Sequence, residues 1–343
     1  MKYIRLFGST SQRDAVLASI DYKILQKTMG VPGVSILQGQ GGGPVPPAPS
    51  YSTPFYVENI TNEVETLTIS CWRSEATIPY PEIPVEYSTD GTNWSSLGTT
   101  GATQLTRTLQ PGDKVYLRAI TNVWYNYYEE DDAECECTIE GVSKVGGNIM
   151  SLLYGSSFTG NETTFPNETM GNFIDLLSSS KLVDASELIL PATTLTFACY
   201  NGMFNECRAL TTAPALPATT LAPHCYGNMF SGCASLTTAP VLPATTLTDD
   251  CYRFMFNGCI SLTTAPVLPA TTLADGCYQS MFIGCTKLNY IKCLATDISA
   301  SRCTEEWLNG VAASGTFVKD PSMSSWITGN NGIPSGWTVQ DAA

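Results

Sequence analysis

Leu190-Pro191-Ala192-Thr193-Thr194-Leu195 recurs from Leu216, Leu242 and Leu268, at an interval of 26 residues each time. The rest of the unit keeps step. Cys199-Tyr200 returns as Cys225-Tyr226, Cys251-Tyr252 and Cys277-Tyr278, and Met203-Phe204 returns as Met229-Phe230, Met255-Phe256 and Met281-Phe282. Cys207 returns as Cys233, Cys259 and Cys285, and Leu210 as Leu236, Leu262 and Leu288. A degenerate last copy keeps the phase with Leu294, Cys303 and Trp307-Leu308; Leu176, Ser179 and Leu182 stand in the Phe, Cys and Leu places of an opening unit. A 26-residue unit is too short to close its own core, so successive units must stack and share one.

In such a stack the Leu, Phe, Met and first-Cys columns are expected to form apolar ladders. Leu-Thr-Thr-Ala-Pro-Val-Leu is the expected short strand, pairing in parallel with its neighbours at ~4.8 Å. Pro214, Pro240 and Pro266 belong at its end, because a proline inside would remove a ladder hydrogen bond. The stretch between the two cysteines reads as a returning turn or short helix, with Gly232, Gly258 and Gly284 as its C-terminal cap.

Cys251-Tyr252-Arg253-Phe254-Met255-Phe256-Asn257-Gly258-Cys259, followed by Ser261-Leu262-Thr263 and Leu268-Pro269, resembles the BspA-type leucine-rich repeat. The resemblance covers roughly residues 175–320 and implies a curved solenoid with a parallel sheet on one side. Cys in place of the family's Ile, Met in place of its Ala, and a longer period are departures from that pattern.

Eight of the 13 cysteines fall in two columns of the repeat. The first column fills an apolar slot, which favours small, buried, reduced side chains; a disulfide framework is the alternative. A zinc site asks for closer ligand spacing and for histidine, and His224 is the one histidine. No metal or cofactor is expected.

Copies differ mainly just before the first Cys (Thr196-Phe197-Ala198, Ala222-Pro223-His224, Thr248-Asp249-Asp250, Ala274-Asp275-Gly276) and just after the Tyr (Asn201-Gly202, Gly227-Asn228, Arg253-Phe254, Gln279-Ser280). Stacking fixes core columns, so these windows must face outward. His224, Phe254 and the column Tyr200, Tyr226, Tyr252 and Tyr278 are the candidate ligand-binding residues. An aromatic ladder suits a repetitive polysaccharide; an amphipathic ladder that merely shields the core is the competing reading.

Ahead of the repeats the pattern changes. Ala15, Leu17, Ile20, Ile24 and Leu25 recur at helical spacing, so residues 10–28 read as a helix within a short N-terminal module, residues 1–40. Gly41-Gly42-Gly43-Pro44-Val45-Pro46-Pro47-Ala48-Pro49 lies in a linker, residues 41–51. Residues 52–145 show alternating strands at 65–72, 84–88, 103–109 and 114–120, with turn signals at Asp90-Gly91 and Pro111-Gly112. Tyr87-Ser88-Thr89-Asp90-Gly91-Thr92-Asn93-Trp94 resembles the strand-turn-strand of immunoglobulin-like sandwiches. Repeats then occupy 146–320, and 321–343 close the chain. The expected fold class is therefore mainly β and multidomain: a helical anchor segment, an immunoglobulin-like sandwich and a leucine-rich-repeat solenoid.

Trp124, Tyr125, Tyr127 and Tyr128 beside the acidic run 129–136 form a secondary candidate patch. That run lacks the alternating spacing of a calcium loop, so a solvated acidic loop is its expected role. Residues 1–30 carry five bases against two acids, whereas residues 51–143 carry fifteen acids against four bases. The net charge of −14 speaks against nucleic acid as a partner. No apolar run is long enough to span a membrane, and no cleavable secretion signal is expected. The four sequons at Asn59, Asn93, Asn161 and Asn167 read as chance.

No nucleophile, metal or nucleotide motif is present, so an enzyme is not expected. The order of parts (basic N-terminal module, linker, spacer, repeats) resembles modular structural proteins of gut-bacterial phages and prophages. That resemblance implies a virion-surface head or tail fibre, assembled in the host cytoplasm. It would dock on a capsid or tail protein through residues 1–40 and contact a host-surface glycan or protein. A homo-oligomer, a trimer as in many fibres, is a further expectation. The alternative is a bacterial cell-surface adhesin, the usual setting of BspA-type repeats; an intracellular scaffold is a third.

Overall fold

The computed structural model describes residues 51–73, 85–97, 104–119, 135–165, 171 and 173–343. The expected helix at 10–28, the linker up to residue 50, the aromatic patch at 124–128 and residues 129–134 of the acidic run lie outside the described residues.

The protein is mainly β, with α1 (Ser151–Tyr154) as the one α-helix among the described residues. In the front half the strands are β1 (Tyr56–Glu58), β2 (Glu65–Arg73), β3 (Val85–Ser88), β4 (Ser95–Ser96), β5 (Gln104–Leu109), β6 (Lys114–Ala119), β7 (Cys135–Glu140) and β8 (Lys144–Asn148). In the repeats and after them come β9 (Asp184–Ile189), β10 (Tyr290–Cys293), β11 (Thr316–Lys319) and β12 (Thr338–Asp341). β2, β3, β5 and β6 fall where alternation predicts them. Leu67 and Ile69 of β2, and Val115, Leu117 and Ala119 of β6, are the buried half of a period-two pattern. The expected turns are present: Gly91 and Gly112 take φ of +77° and +85°, a conformation cheap only for glycine.

Two antiparallel arrangements share one apolar core. β5-β2-β7 form a three-stranded sheet, and β4-β3-β6-β1-β8 form a second, whose far edge β9 joins in parallel. β9 belongs to the repeat region, so the expected boundary at residues 145/146 falls inside β8. The core runs on without a break from Phe55 through the repeats to Trp337. Lys144 ties the junction. Its Nζ lies 2.6 Å from Glu187 Oε1, 3.7 Å from Glu58 and 3.9 Å from Asp184, while the Tyr56 hydroxyl donates to Glu187. Gly146 is required here, because a Cβ would sit 2.3 Å from the Tyr56 ring.

From residue 196 to Cys207, and at the equivalent places of later coils, the backbone follows a rule different from both helix and strand. Alternate N–H groups bond within the coil to a carbonyl three residues back, as Met203 to Tyr200 (3.3 Å) and Cys207 to Phe204 (3.1 Å). The N–H groups between them reach the next coil, as Tyr200 to Cys225 (3.0 Å), Gly202 to Gly227 (2.8 Å) and Phe204 to Met229 (2.9 Å). Every fourth residue has positive φ: Ala198, Gly202 and Glu206 in one coil, His224, Asn228 and Gly232 in the next. The Cys-to-Cys segment is thus a chain of turns and not a helix. Gly232, Gly258 and Gly284 accordingly close turns and do not cap a helix.

The expected parallel sheet is only partly formed. Along the Thr-rich side, pairing is reduced to isolated parallel bridges such as Thr194↔Thr220, Thr264↔Tyr290 and Thr272↔Asp297. Regular parallel pairing appears at the C-terminal end, where β10, β11 and β12 lie side by side. Prolines at 214, 217, 240, 243, 266 and 269 remove ladder donors in the full copies, and the β10 stretch has none. In the opening unit Ser179 and Leu182 keep the Cys and Leu places, Leu182 N–H bonding to Ser179 O (3.3 Å) as Leu210 bonds to Cys207 O, but the Phe place shifts by one residue. Leu177, and not Leu176, stands at the Phe place, since its N–H bonds to Met203 O (2.9 Å) as Phe204 bonds to Met229 O. No helix among the described residues is long and apolar enough to cross a membrane.

Candidate functional site

The repeated columns turn inward. Tyr200, Tyr226, Tyr252 and Tyr278 are each at most 1% exposed. Their rings stack at 5.8, 5.9 and 6.2 Å between centroids. Phe173 extends the pile at one end, and Trp307 and Trp326 at the other. Phe204, Phe230, Phe256 and Phe282 make a second pile at 5.3–5.6 Å. Trp307 occupies the Met place in the backbone, where its carbonyl accepts from Phe282 (2.9 Å) as Met281 accepts from Phe256. Its ring nevertheless continues the Tyr pile, because the small Thr304 stands in the Tyr place and leaves the volume free.

This corrects the expectation of a surface tyrosine ladder. The rings are packed between coils and meet no solvent, so they cannot touch a polysaccharide. The hydroxyls of Tyr200, Tyr226 and Tyr252 are buried without a hydrogen-bond partner, and burial raises all four tyrosine pKa values well above the ordinary range. Sequence pattern identified the column but not the direction it faces.

The ten cysteines from Cys199 to Cys303 are free and buried. In the second column each thiol donates to a carbonyl of the preceding coil: Cys207 to Leu177 (2.9 Å), Cys233 to Phe204 (3.2 Å), Cys259 to Phe230 (3.2 Å) and Cys285 to Phe256 (3.0 Å). The thiol is therefore a weak donor satisfying a buried acceptor. Burial pushes the thiols of Cys199, Cys207 and Cys285 up to about 12, so the nucleophilic thiolate is scarce at neutral pH. Asn59 is fully buried, and its amide donates to Glu63 O (2.8 Å) and Leu109 O (3.1 Å), which leaves no room for a glycan there.

Surface variation collects in the windows, and there the backbone adds a second signal. Three positions of every coil take positive φ. The third is Glu206 in the first full coil and then Gly232, Gly258, Gly284 and Gly310. The first runs Ala198, His224, Asp250, Gly276, Arg302, and the second Gly202, Asn228, Phe254, Ser280, Glu306. A side chain in this conformation costs roughly 1–2 kcal/mol, less for Asn, Asp and His. The third column mostly avoids that cost and the first two accept it.

The accepted side chains are in contact across coils. The Phe197 and His224 rings meet edge to face at 5.2 Å. His224 Nε2 lies 3.8 Å from Asp250 Oδ2, and Arg253 Nε 3.8 Å from Asp250 Oδ1. The Arg253 guanidinium sits 5.1 Å from the centre of the Phe254 ring. His224 and Arg253 are about a third exposed, at 36% and 37% of their side chains. The next coil makes room for this group: a Cβ on Gly276 would stand 2.3 Å from Asp250 Oδ1. His224 and Phe254 are thus partly exposed, as their windows predict, whereas Ala198 and Ser280 of the same windows are buried, against the expectation that every window residue faces outward. Phe197, Asp250 and Arg253 lie in the same windows, and only the fold shows that they touch. Chemically the group offers aromatic faces, a cation and a carboxylate within reach of solvent. Comparison with protein-family models, with curated proteins and with solved structures finds nothing that matches this chain.

Proposed function

We propose that the chain is a non-enzymatic virion structural protein, a phage head or tail fibre. On this reading residues 1–40 dock on a capsid or tail protein. Residues 52–145 are an immunoglobulin-like spacer, and the repeats are a BspA-like leucine-rich solenoid held out toward a host-surface glycan or protein. One observation carries the reading: the repeated side chains are consumed by packing, while most side chains that differ from coil to coil stay at least partly exposed, with Asp249 and Asp275 exposed. A stack of that kind is a rigid carrier for a variable face. The continuous core between spacer and repeats suits the same role, since it passes load along the chain without a hinge at β8.

Antibody labelling of purified particles tests the proposal. Label on heads or tails is the expected result, and label confined to the bacterial envelope would replace the fibre reading with a cell-surface adhesin. Sedimentation of the purified full chain tests the trimer expected of a fibre.

A further inference from the structure

We propose that Phe197, His224, Asp250, Arg253 and Phe254 form a carbohydrate-binding patch that takes a neutral polysaccharide lying across three successive coils; the proposal deepens the display reading above and rests on it. The five residues come from adjacent coils and are joined by an unbroken path of contacts. Adjacent coils are joined by backbone hydrogen bonds, which sets them about 4.8 Å apart, a spacing similar to the repeat of a pyranose chain. Phe197 and Phe254 supply flat apolar faces for the C–H face of a sugar ring. The guanidinium of Arg253 and the carboxylate of Asp250 are a fork donor and an acceptor suited to neighbouring hydroxyls. At 3.8 Å neither of the two charged contacts to Asp250 is a hydrogen bond, and Asp250 Oδ1 and Arg253 Nε are buried without a partner, so a ligand meets the pair through the part of Arg253 that is exposed.

Two features argue that the group is built and not incidental. His224, Asp250 and Phe254 hold positive φ, where the third column of the same coils uses glycine. Gly276 lacks the side chain that would collide with Asp250. Stability is given up at these positions and space is cleared for them, as is common where side chains serve binding. Charge selects the ligand further. Asp249, Asp250 and Asp275 stand in the windows around one Arg253, so a polyanionic chain is disfavoured.

The experiment uses the purified full chain and its Phe254→Gly and His224→Gly variants. Binding is measured to immobilised mannan, to mixed-linkage β-glucan and to a polyuronate, alongside thermal melting. Glycine removes the side chain and relieves the backbone at once. The expected result is a Tm unchanged or raised in both variants, with binding to a neutral polysaccharide weakened at least about tenfold. A lowered Tm would assign the side chains to the fold and overturn the patch. So would undiminished binding, preference for the polyuronate, or no binding by the unaltered chain to any of the three. Particle labelling reads out independently: labelled virions with no sugar binding remove the patch and keep the fibre, and the converse removes the fibre and keeps the patch.

Discussion

The front sheets and the repeat coils are both β-rich and share one core, yet they bury their backbone polar groups differently. In the front, β2 bonds to β5 on one side and β7 on the other, and each residue faces a partner found nowhere else in the chain. In the coils, the same donor–acceptor pair returns at every step, half inside the coil and half to its neighbour. A front strand therefore fails alone. A coil position is one rung of a column, and what burial does to one member it does to all. Titratable groups show this most clearly: the front leaves most of its charged residues, such as Glu86, Arg118 and Lys144, partly exposed, whereas the coils bury whole columns of thiols and phenols.

Alkali should break the symmetry between the two regions most strongly. Burial holds nine thiols (Cys199, Cys207, Cys225, Cys233, Cys251, Cys259, Cys277, Cys285 and Cys293) far above the ordinary value of 9.0. Because their folded pKa values are raised, their contribution is complete below the unfolded value and is lost as pH rises beyond it. At one pH unit above, each folded thiol still holds the proton that its unfolded counterpart has lost, at a cost of about 1 kcal/mol apiece, so the columns as a whole are strongly weakened. Amide exchange followed from pH 8 to pH 10.5 should show the coils losing protection ahead of the front sheets; simultaneous loss would mean the coils have no separate stability.

Truncation comes next. Tyr252→Ala should cost ~3–5 kcal/mol and Ile69→Ala ~2–5 kcal/mol in denaturant unfolding, since each leaves a cavity in packed surroundings. The coil variant should also loosen Tyr226 and Tyr278, whose rings rest on the deleted one, which exchange or fluorescence would register; the front variant should stay local. Smaller again is Tyr252→Phe. Its hydroxyl is buried without a partner, so removal should be neutral or stabilising by up to about 1 kcal/mol. A loss of more than that in thermal melting would reveal an unseen partner.

The smallest effect lies at the junction. Hydrogen bonds from Lys144 and Tyr56 hold the half-exposed Glu187 carboxyl below its ordinary range. A lowered folded pKa gives stability that is present above the unfolded value near 4.5 and lost as pH falls. After allowance for solvent screening, Glu187→Gln should cost about 0.5 kcal/mol near neutrality and less at pH 3. Equal cost at both pH values would show that packing, and not charge, joins front and coils.

The sequence alone determined the period, the membership of each column in the four full copies and four of the front strands. Stacked units must repeat whatever side chain fills a shared place, and half-buried strands must alternate. It also marked the windows that hold His224 and Phe254. Only the tertiary structure decided that the tyrosines face inward, that the Cys-to-Cys stretch is turns instead of helix, and that β9 closes onto β8. The reason is physical. Recurrence at 26 residues says which positions are equivalent, but facing is set by a backbone with positive φ at every fourth residue, and neither the 3.6 nor the 2.0 periodicity reads that conformation. The contact path from Phe197 to Phe254 depends on that same backbone, so it became visible only when the coils were laid side by side.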